Sequence, residues 1–386
     1  MDSSLEALGR KGNLAAAPDL YNPGGVAAHV VHFTPWPPDV QFESLFAPAR
    51  IEIYPFLDNP GPGPRMFRAV VGFGRIVRKM RRERINLIRG RLPYFGSLLG
   101  CVGGRLLGIP SIVSLGGNNR LAQDLTGDYP FGRRWLANAV EWLVLRVANR
   151  ILVPNRYTLA YVGQLIGGRR AVAKTEVLPW RLESSCGSGA SAADELGVGR
   201  ESPMVLVVGF LNRYKHTDIM FDVARELLRS RTSVVEFVFC GDGPLRAEGE
   251  ELFRGDRRAR FLGWQPQAVV QQLIQAAAVV LVPMSGFVLL EAAAAGRPVV
   301  AADIEWHGEI VEDRVSGRLV GSRDVHAWVD AIRELLADAP LAARVGAALH
   351  ERFERDYSPD VLRRREASLY LETAGLAVRT PIDERA

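Results

Sequence analysis

One carboxylate interrupts an otherwise apolar, small-residue stretch: Glu291 within Val288-Leu289-Leu290-Glu291-Ala292-Ala293-Ala294-Ala295. The apolar strand before it, Val279-Val280-Leu281-Val282, ends at Pro283 and leads into a small-residue turn. Backbone N–H groups of Ser285, Gly286, Phe287, Val288 and Leu289 then stand at the start of a helix, where an anion is stabilised. Glu291, about a turn and a half further on, is placed to reach a hydroxyl. One element would thus read both ends of a ligand that carries phosphates at one end and sugar hydroxyls at the other. The competing reading of Glu291 is a solvated helix residue, against which its apolar neighbours argue.

A second group closes another apolar strand. Val207-Val208-Gly209-Phe210-Leu211-Asn212-Arg213-Tyr214-Lys215 brings Arg213 and Lys215 to a strand's carboxyl end. Fixed cations there lower the energy of a departing phosphate on which negative charge develops. Surface cations that merely cap a strand produce the same string. In Cys240-Gly241-Asp242-Gly243-Pro244 the glycines let backbone approach a ligand, and a tight turn accounts for them equally well. Asp303-Ile304-Glu305-Trp306-His307-Gly308-Glu309 adds acidic groups beside Trp306 and His307, a histidine of a kind that is commonly a satisfied polar residue. Earlier in the chain, Ser111-Ile112-Val113-Ser114-Leu115-Gly116-Gly117-Asn118-Asn119 ends a strand with two carboxamides able to hydrogen-bond hydroxyls.

Parallel strands must hold these turns. Short apolar runs at 30–33, 50–54, 87–89, 111–115 and 150–154 alternate with amphipathic segments, as a doubly wound sheet requires. The alternation resumes with strands at 205–209, 234–241, 259–263, 279–283 and 298–302, helices at 218–228 and 267–277, and more helices after Asp324. Between them, residues 183–203 shift to Ser, Gly and Ala and read as an exposed linker. The expected organisation is an N-terminal Rossmann-like domain over 1–182 and a C-terminal one over 204–358. A last helix within 359–386 crosses back to the first.

The run Glu291-Ala292-x-x-x-Gly296-x-Pro298-Val299-Val300 resembles the donor motif of family 4 glycosyltransferases, also called glycosyl transferases group 1, with the first acid of the Glu-x7-Glu pair replaced by Pro283. The resemblance is strong from Met204 to Val320 and looser before Leu182. It implies an α/β, GT-B fold in which two Rossmann-like domains face a cleft and ligands sit at the strands' carboxyl ends. It also implies that Lys215 falls on the family lysine, that Glu291 contacts a donor ribose, and that Gly209, Gly241 and Glu309 belong to the donor side. Gly116 takes the place of the family histidine, beside Gly117, Asn118 and Asn119 on the sugar and acceptor side. Phe210 stands where the family has arginine, which makes Arg213 the substitute cation. Tyr21-Asn22-Pro23-Gly24-Gly25-Val26 is similar to the family's N-terminal Gly-Gly loop, although it precedes a strand, and Gly9-Arg10-Lys11-Gly12 competes for that role.

The activity implied is retaining transfer of a sugar from a nucleoside-diphosphate donor to a hydroxyl acceptor. No metal and no cofactor are expected, and no side chain acts as a double-displacement nucleophile. A GT-B epimerase or hydrolase of the nucleotide-sugar would need acid–base pairs that the missing histidine and glutamate do not supply. A degenerate sugar-nucleotide-binding scaffold is the non-enzyme alternative, suggested by Phe210, Gly116 and Pro283. A dinucleotide dehydrogenase is disfavoured because no strand-linked Gly-x-Gly-x-x-Gly appears.

Bulk properties narrow the partners. A net charge of +5 and a pI near 9.3 favour an anionic one. Nucleic acid is not expected, because the basic residues lack interleaved aromatics. Residues 65–91 hold ten basic residues and one acid, Glu83; Phe73, Ile76, Val77 and Met80 share one helical face and Arg75, Arg78, Lys79 and Arg82 the other. That helix suits either an anionic membrane surface or ordinary packing. Cys101, Cys186 and Cys240 are too scattered for a disulfide framework or a zinc site. With no signal-like start and no long apolar run, a cytoplasmic location is expected, peripheral to the inner membrane face if the basic helix docks. An α/β domain of this type opens on an apolar strand and residues 1–25 offer none, so translation is expected to start upstream of Met1.

Overall fold

The computed structural model describes residues 22–34, 49–56, 65–120, 131–182, 192–199, 202–229, 234–284 and 286–376. Chain contacts separate two compact units, Met1–Trp180 with Leu362–Ala386, and Arg181–Val361.

The first unit contains β1 (His29–Thr34), β2 (Arg50–Pro55), α1 (Arg65–Arg82), β3 (Ile88–Gly90), α2 (Phe95–Leu107), β4 (Ser111–Ser114) and α3 (Phe131–Val147). It continues with β5 (Arg150–Val153), α4 (Arg156–Ile166), α5 (Gly168–Lys174) and β6 (Thr175–Val177). Its strands pair in two parallel groups, β1-β2 and β3-β4-β5-β6. The centre is apolar: Ile112, Val113, Val144, Leu145, Ile151 and Val162 are buried.

The second unit holds α6 (Ala192–Leu196), β7 (Met204–Val208), α7 (Thr217–Leu228), β8 (Glu236–Cys240), α8 (Arg246–Leu252), β9 (Ala259–Gly263) and α9 (Gln267–Ala276). Then come β10 (Val279–Val282), α10 (Val288–Ala294), β11 (Val299–Ala302), α11 (His307–Ile310), β12 (Arg318–Val320), α12 (Val325–Ala337) and α13 (Ala339–Asp356). The all-parallel sheet runs β12-β11-β10-β7-β8-β9. Strands such as Val279–Val282 and Val299–Ala302 are continuously apolar because helices cover both faces, and they are buried throughout. The strand order reverses between β7 and β10, and a crevice forms at their carboxyl ends for that reason.

The expected linker differs from its composition. Residues 183–191 lie outside the described residues, but Ala193 and Val198 are buried in the second unit's core with Leu182. The following stretch is therefore packed and not an exposed connection. Helix α14 (Pro359–Thr373) adds Leu369 and Tyr370 to the first unit's core. Arg89 anchors it, donating to the Tyr370 hydroxyl at 2.6 Å and to Ser114 Oγ at 2.6 Å, with Glu366 3.6 Å away.

The glycine turn before β1 is part of this bracing. A Cβ on Gly24 would lie 3.3 Å from Ala367 on α14, and the Asn22 side chain closes the loop by donating to the Ala27 carbonyl and accepting from its N–H. Gly9 to Gly12 lie outside the described residues. Helix α1 turns Ile76 and Met80 into the core against Phe56 and Ile88. Lys79 does not join a free basic face: it donates to Glu52 at 2.6 Å and Glu83 at 3.0 Å, because buried stems pull its ammonium back toward those carboxylates.

Candidate functional site

The turn leaving β7 is shaped by backbone. Gly209 donates to the Cys240 carbonyl at 3.0 Å and Leu211 to that of Asp242 at 2.9 Å. The apposition is so close that a Cβ on Gly241 would sit 1.8 Å from the Gly209 oxygen, and one on Gly243 would sit 2.4 Å from the Leu211 oxygen. Both glycines adopt positive φ. Gly241 thus supports the β7 turn from behind, and it is not among the residues that line the pocket described below.

Asn212 sorts the two cations. Its Oδ1 accepts from the Lys215 N–H at 2.8 Å, making a local turn that sends successive side chains in different directions. Lys215 is turned inward and half-buried, whereas Arg213 points out, 71% exposed, with Asp218 at 3.4 Å. Arg213 is not among the residues that line the pocket described below. Burial lowers the Lys215 pKa, and the Glu305 charge opposes that shift.

A pocket of about 200 Å³ lies at the β7/β10 reversal, lined by Gly209, Phe210, Lys215, Thr217, Pro283, Gly286, Phe287 and Val288 among others. Among the described residues that line it, Lys215 carries the only charge. Apolar walls reduce screening and so strengthen its attraction for an anion. Ser285 lies outside the described residues. Phe210 and Phe287 are about half exposed at this pocket, at 58% and 50%. His216 joins the two turns: it adopts φ 55 at the start of α7, and its ring hydrogen-bonds the Pro283 backbone.

Glu291, the fourth residue of α10, accepts from Gln267 Nε2 and does not line the pocket. Burial raises its pKa, and the Gln267 hydrogen bond works the other way. Leu289, expected on the donor side, is instead fully buried in the core and does not line the pocket. Glu309 is on α11, where its carbonyl accepts from Arg352 Nη2 at 3.0 Å.

The turn after β11 holds groups whose conformation the sequence does not announce. Glu305 has φ 47, a left-handed conformation for a non-glycine residue, and its charge reaches both Lys215 and His307. His307 is fully buried with Nδ1 2.8 Å from the Ala302 carbonyl. A carbonyl only accepts, so Nδ1 carries the proton and Nε2 remains an acceptor, buried without a protein partner. Burial chiefly, with Lys215 adding, lowers the His307 pKa, and the ring is neutral.

In the first unit, Gly116 is accounted for by a neighbour: a Cβ there would meet Trp180 Cζ2 at 3.3 Å. Gly117 faces open space, and Asn118 is half-buried. Asn119 is engaged within the fold, donating to Glu141 at 2.8 Å, while the Tyr161 hydroxyl donates to the other carboxylate oxygen at 2.8 Å. Burial raises the Glu141 pKa against both bonds.

The model described as Glycosyl transferases group 1 matches residues 202–338. Residues 202–338 are therefore similar to the glycosyl transferases group 1 family. A D-inositol 3-phosphate glycosyltransferase from Nocardia farcinica is 34% identical over 176 residues, 42% of this chain and 38% of that protein. An alpha-D-kanosaminyltransferase from Streptomyces kanamyceticus is 32% identical over 152 residues, 38% of this chain and 39% of that protein. The chain thus spans about two fifths of the length of the curated relatives it matches.

The likeness in fold extends further. Anabaena HepE in complex with UDP superposes with a TM-score of 0.70 at 18% identity, covering 92% of this chain and 95% of that one. A sucrose-phosphate synthase from Thermosynechococcus elongatus gives 0.63 at 22% identity, with 96% and 93% covered. The chain therefore has the GT-B fold.

Proposed function

We propose that the protein is a retaining glycosyltransferase that moves a sugar from a nucleoside-diphosphate donor to a hydroxyl acceptor. The observation that carries this is the pocket at the β7/β10 reversal, whose charge comes from Lys215 and whose floor is glycine-shaped backbone. In this reading Lys215 meets the diphosphate and neutralises the charge that grows as the glycosidic bond breaks. Backbone N–H groups of Gly286 and Phe287 serve the same phosphates. Glu291 holds the ribose, with Gln267 setting its orientation. The leaving phosphate takes the acceptor proton, so no protein base is required. HepE is known with UDP and with UDP-glucose, which makes UDP-sugars the first donors to try.

A sugar-nucleotide-binding scaffold is the second reading. The outward Arg213 favours it, since Lys215 is then the one charged side chain among the described residues lining the pocket. Titration with UDP and GDP, followed by donor hydrolysis across a panel of nucleotide-sugars, separates the two. Transfer or hydrolysis with the α-anomer retained by NMR supports the transferase. Saturable binding without turnover of any donor supports the scaffold, and absence of nucleotide binding ends both.

A further inference from the structure

Helix α3 is built inside out. A surface helix normally buries its apolar stripe and exposes charge. Here the buried face carries the carboxylate Glu141 along with Val144 and Leu145, while the opposite face presents Trp135, Leu136, Trp142 and Leu143 to solvent. Trp135 is 70% exposed and Leu136 58%. Two tryptophans seven residues apart share the outer face of the helix, two turns from each other. Scattered exposed apolar residues are ordinary, but four large ones, two of them tryptophans, gathered on one helix face mark a binding surface.

The charge around the ridge identifies what it would meet. Arg146 lies over the Trp142 ring, 4.8 Å from its centroid. At the end of α3, Lys174 of α5 donates to the carbonyls of Arg146 and Ala148 at 3.1 and 2.9 Å, which joins α5 to that end of the helix. Arg105, Arg146 and Arg170 are near enough to that ammonium to help burial lower its pKa to about 8. Next to Arg105 on α2, Leu106 is 68% exposed, and Val172 on α5 is 72% exposed. Among the described residues from Phe95 to Thr175 the single acidic side chain is Glu141, and it is buried. Among the described residues of α2, α3 and α5 the exposed side chains are thus apolar and basic.

We propose that the outer face of α3, with the basic ends of α2 and α5, docks onto an anionic lipid bilayer. Trp135 and Trp142 enter the interfacial layer, where their apolar rings are buried and their indole N–H groups reach water and headgroups. Arg105, Arg146 and Arg170 extend to the lipid phosphates. A second copy of the chain is disfavoured as the occupant, because a two-fold contact through this face would bring two basic surfaces together. Helix α1, more basic in sequence, is less suited: its Ile76 and Met80 are turned inward and its Lys79 is held by two carboxylates.

Flotation of the full chain with phosphatidylcholine vesicles, alone or with phosphatidylglycerol, tests this. Binding to the anionic vesicles alone is expected, weakening with salt. Replacing Trp135 and Trp142 together by serine should reduce the bound fraction about tenfold, since each ring contributes independently buried area. Arg146→Glu with Arg170→Glu should do the same, and Arg78→Glu with Arg82→Glu on α1 should change it less. Brominated acyl chains should quench the wild-type tryptophan fluorescence and quench the serine double variant far less. Equal binding to neutral vesicles, unchanged binding of a folded serine variant, or loss only in the α1 variant overturns the proposal. A concentration-dependent dimer that the serine changes dissociate, with vesicle binding unaltered, would overturn it in favour of self-association.

Discussion

The turns after β7 and after β4 are both glycine-containing and both sit at carboxyl ends of parallel strands, yet their polar groups face opposite tasks. After β7 the shape is held by backbone pairs, Gly209 with Cys240 and Leu211 with Asp242, and Lys215 is left to line a pocket. After β4 the side chains hold one another: Asn119 is bound to Glu141, Glu141 to Tyr161, and Gly116 lies beneath Trp180. A turn that stabilises itself through main-chain hydrogen bonds can present a side chain to a ligand. A turn stabilised through its own carboxamides has fewer groups to offer.

The largest effect should come from removing the presented charge. Lys215→Ala is expected to lower turnover by about 10²–10³-fold, the loss typical of one electrostatic donor at a transition state. Its melting temperature should stay near that of the wild type. Arg213→Ala, on the exposed side of the same turn, should cost less than about threefold, as an exposed ion pair is worth little. Equal losses in the two variants would mean that the Asn212 turn does not sort the cations in solution.

Next comes the backbone support. Gly241→Ala forces a methyl to within 1.8 Å of the Gly209 oxygen at a φ of 151. The turn must move, and a destabilisation of about 2–4 kcal/mol is expected from the combined overlap and strain. Chemical denaturation measures the first consequence, and UDP titration of the remaining folded protein measures the second. A variant that binds nucleotide normally would show that the pocket does not depend on the apposition.

Much of this architecture was legible in the residues. Strands such as Met204–Val208 and Val279–Val282 are apolar throughout because both sheet faces are covered, and short unbroken apolar runs at regular intervals are what such a sheet leaves in a sequence. The strand-end position of Lys215 followed from the same runs. What stayed hidden depends on contacts between distant segments. Nothing local to Gly116 reveals Trp180, and the left-handed backbone at Glu305 and His216 is set by tertiary packing. Periodicity sent Ile76 and Met80 of α1 inward but put the tethered Lys79 on a free basic face, and α3 buries its Glu141 while exposing its tryptophans, so a rule that sends apolar residues inward and charged ones outward misreads both.

The β4 side of the comparison predicts a loss of stability in place of a loss of catalysis. Asn119→Ala removes one of the two hydrogen bonds that hold the buried Glu141 carboxylate, which should cost about 1–3 kcal/mol. Nucleotide affinity should be unchanged, because that network is confined to the first unit. The pH dependence has a definite sign. Burial raises the Glu141 pKa in the folded state, so the native protein binds the proton more tightly than the unfolded chain does. Its contribution to stability is therefore most favourable below the unfolded pKa and declines as pH rises through the folded one. Loss of Asn119 should enlarge that decline, making the variant's deficit greater at pH 8 than at pH 5.

The smallest effect concerns Glu305, whose charge reaches across to Lys215. Lys215 must be protonated to attract a diphosphate, and burial lowers its pKa below the ordinary lysine value, so UDP affinity should fall on raising the pH sooner than a solvated lysine would allow. Glu305 resists that shift. Glu305→Gln removes the resisting charge and should move the alkaline fall in UDP affinity to still lower pH while leaving the wild-type curve's shape intact. Lys215→Arg should abolish the fall in the same range, because a guanidinium keeps its proton there. If Glu305→Gln leaves the curve where it was, the carboxylate in its left-handed turn does not act on Lys215, and the two groups belong to separate parts of the second unit.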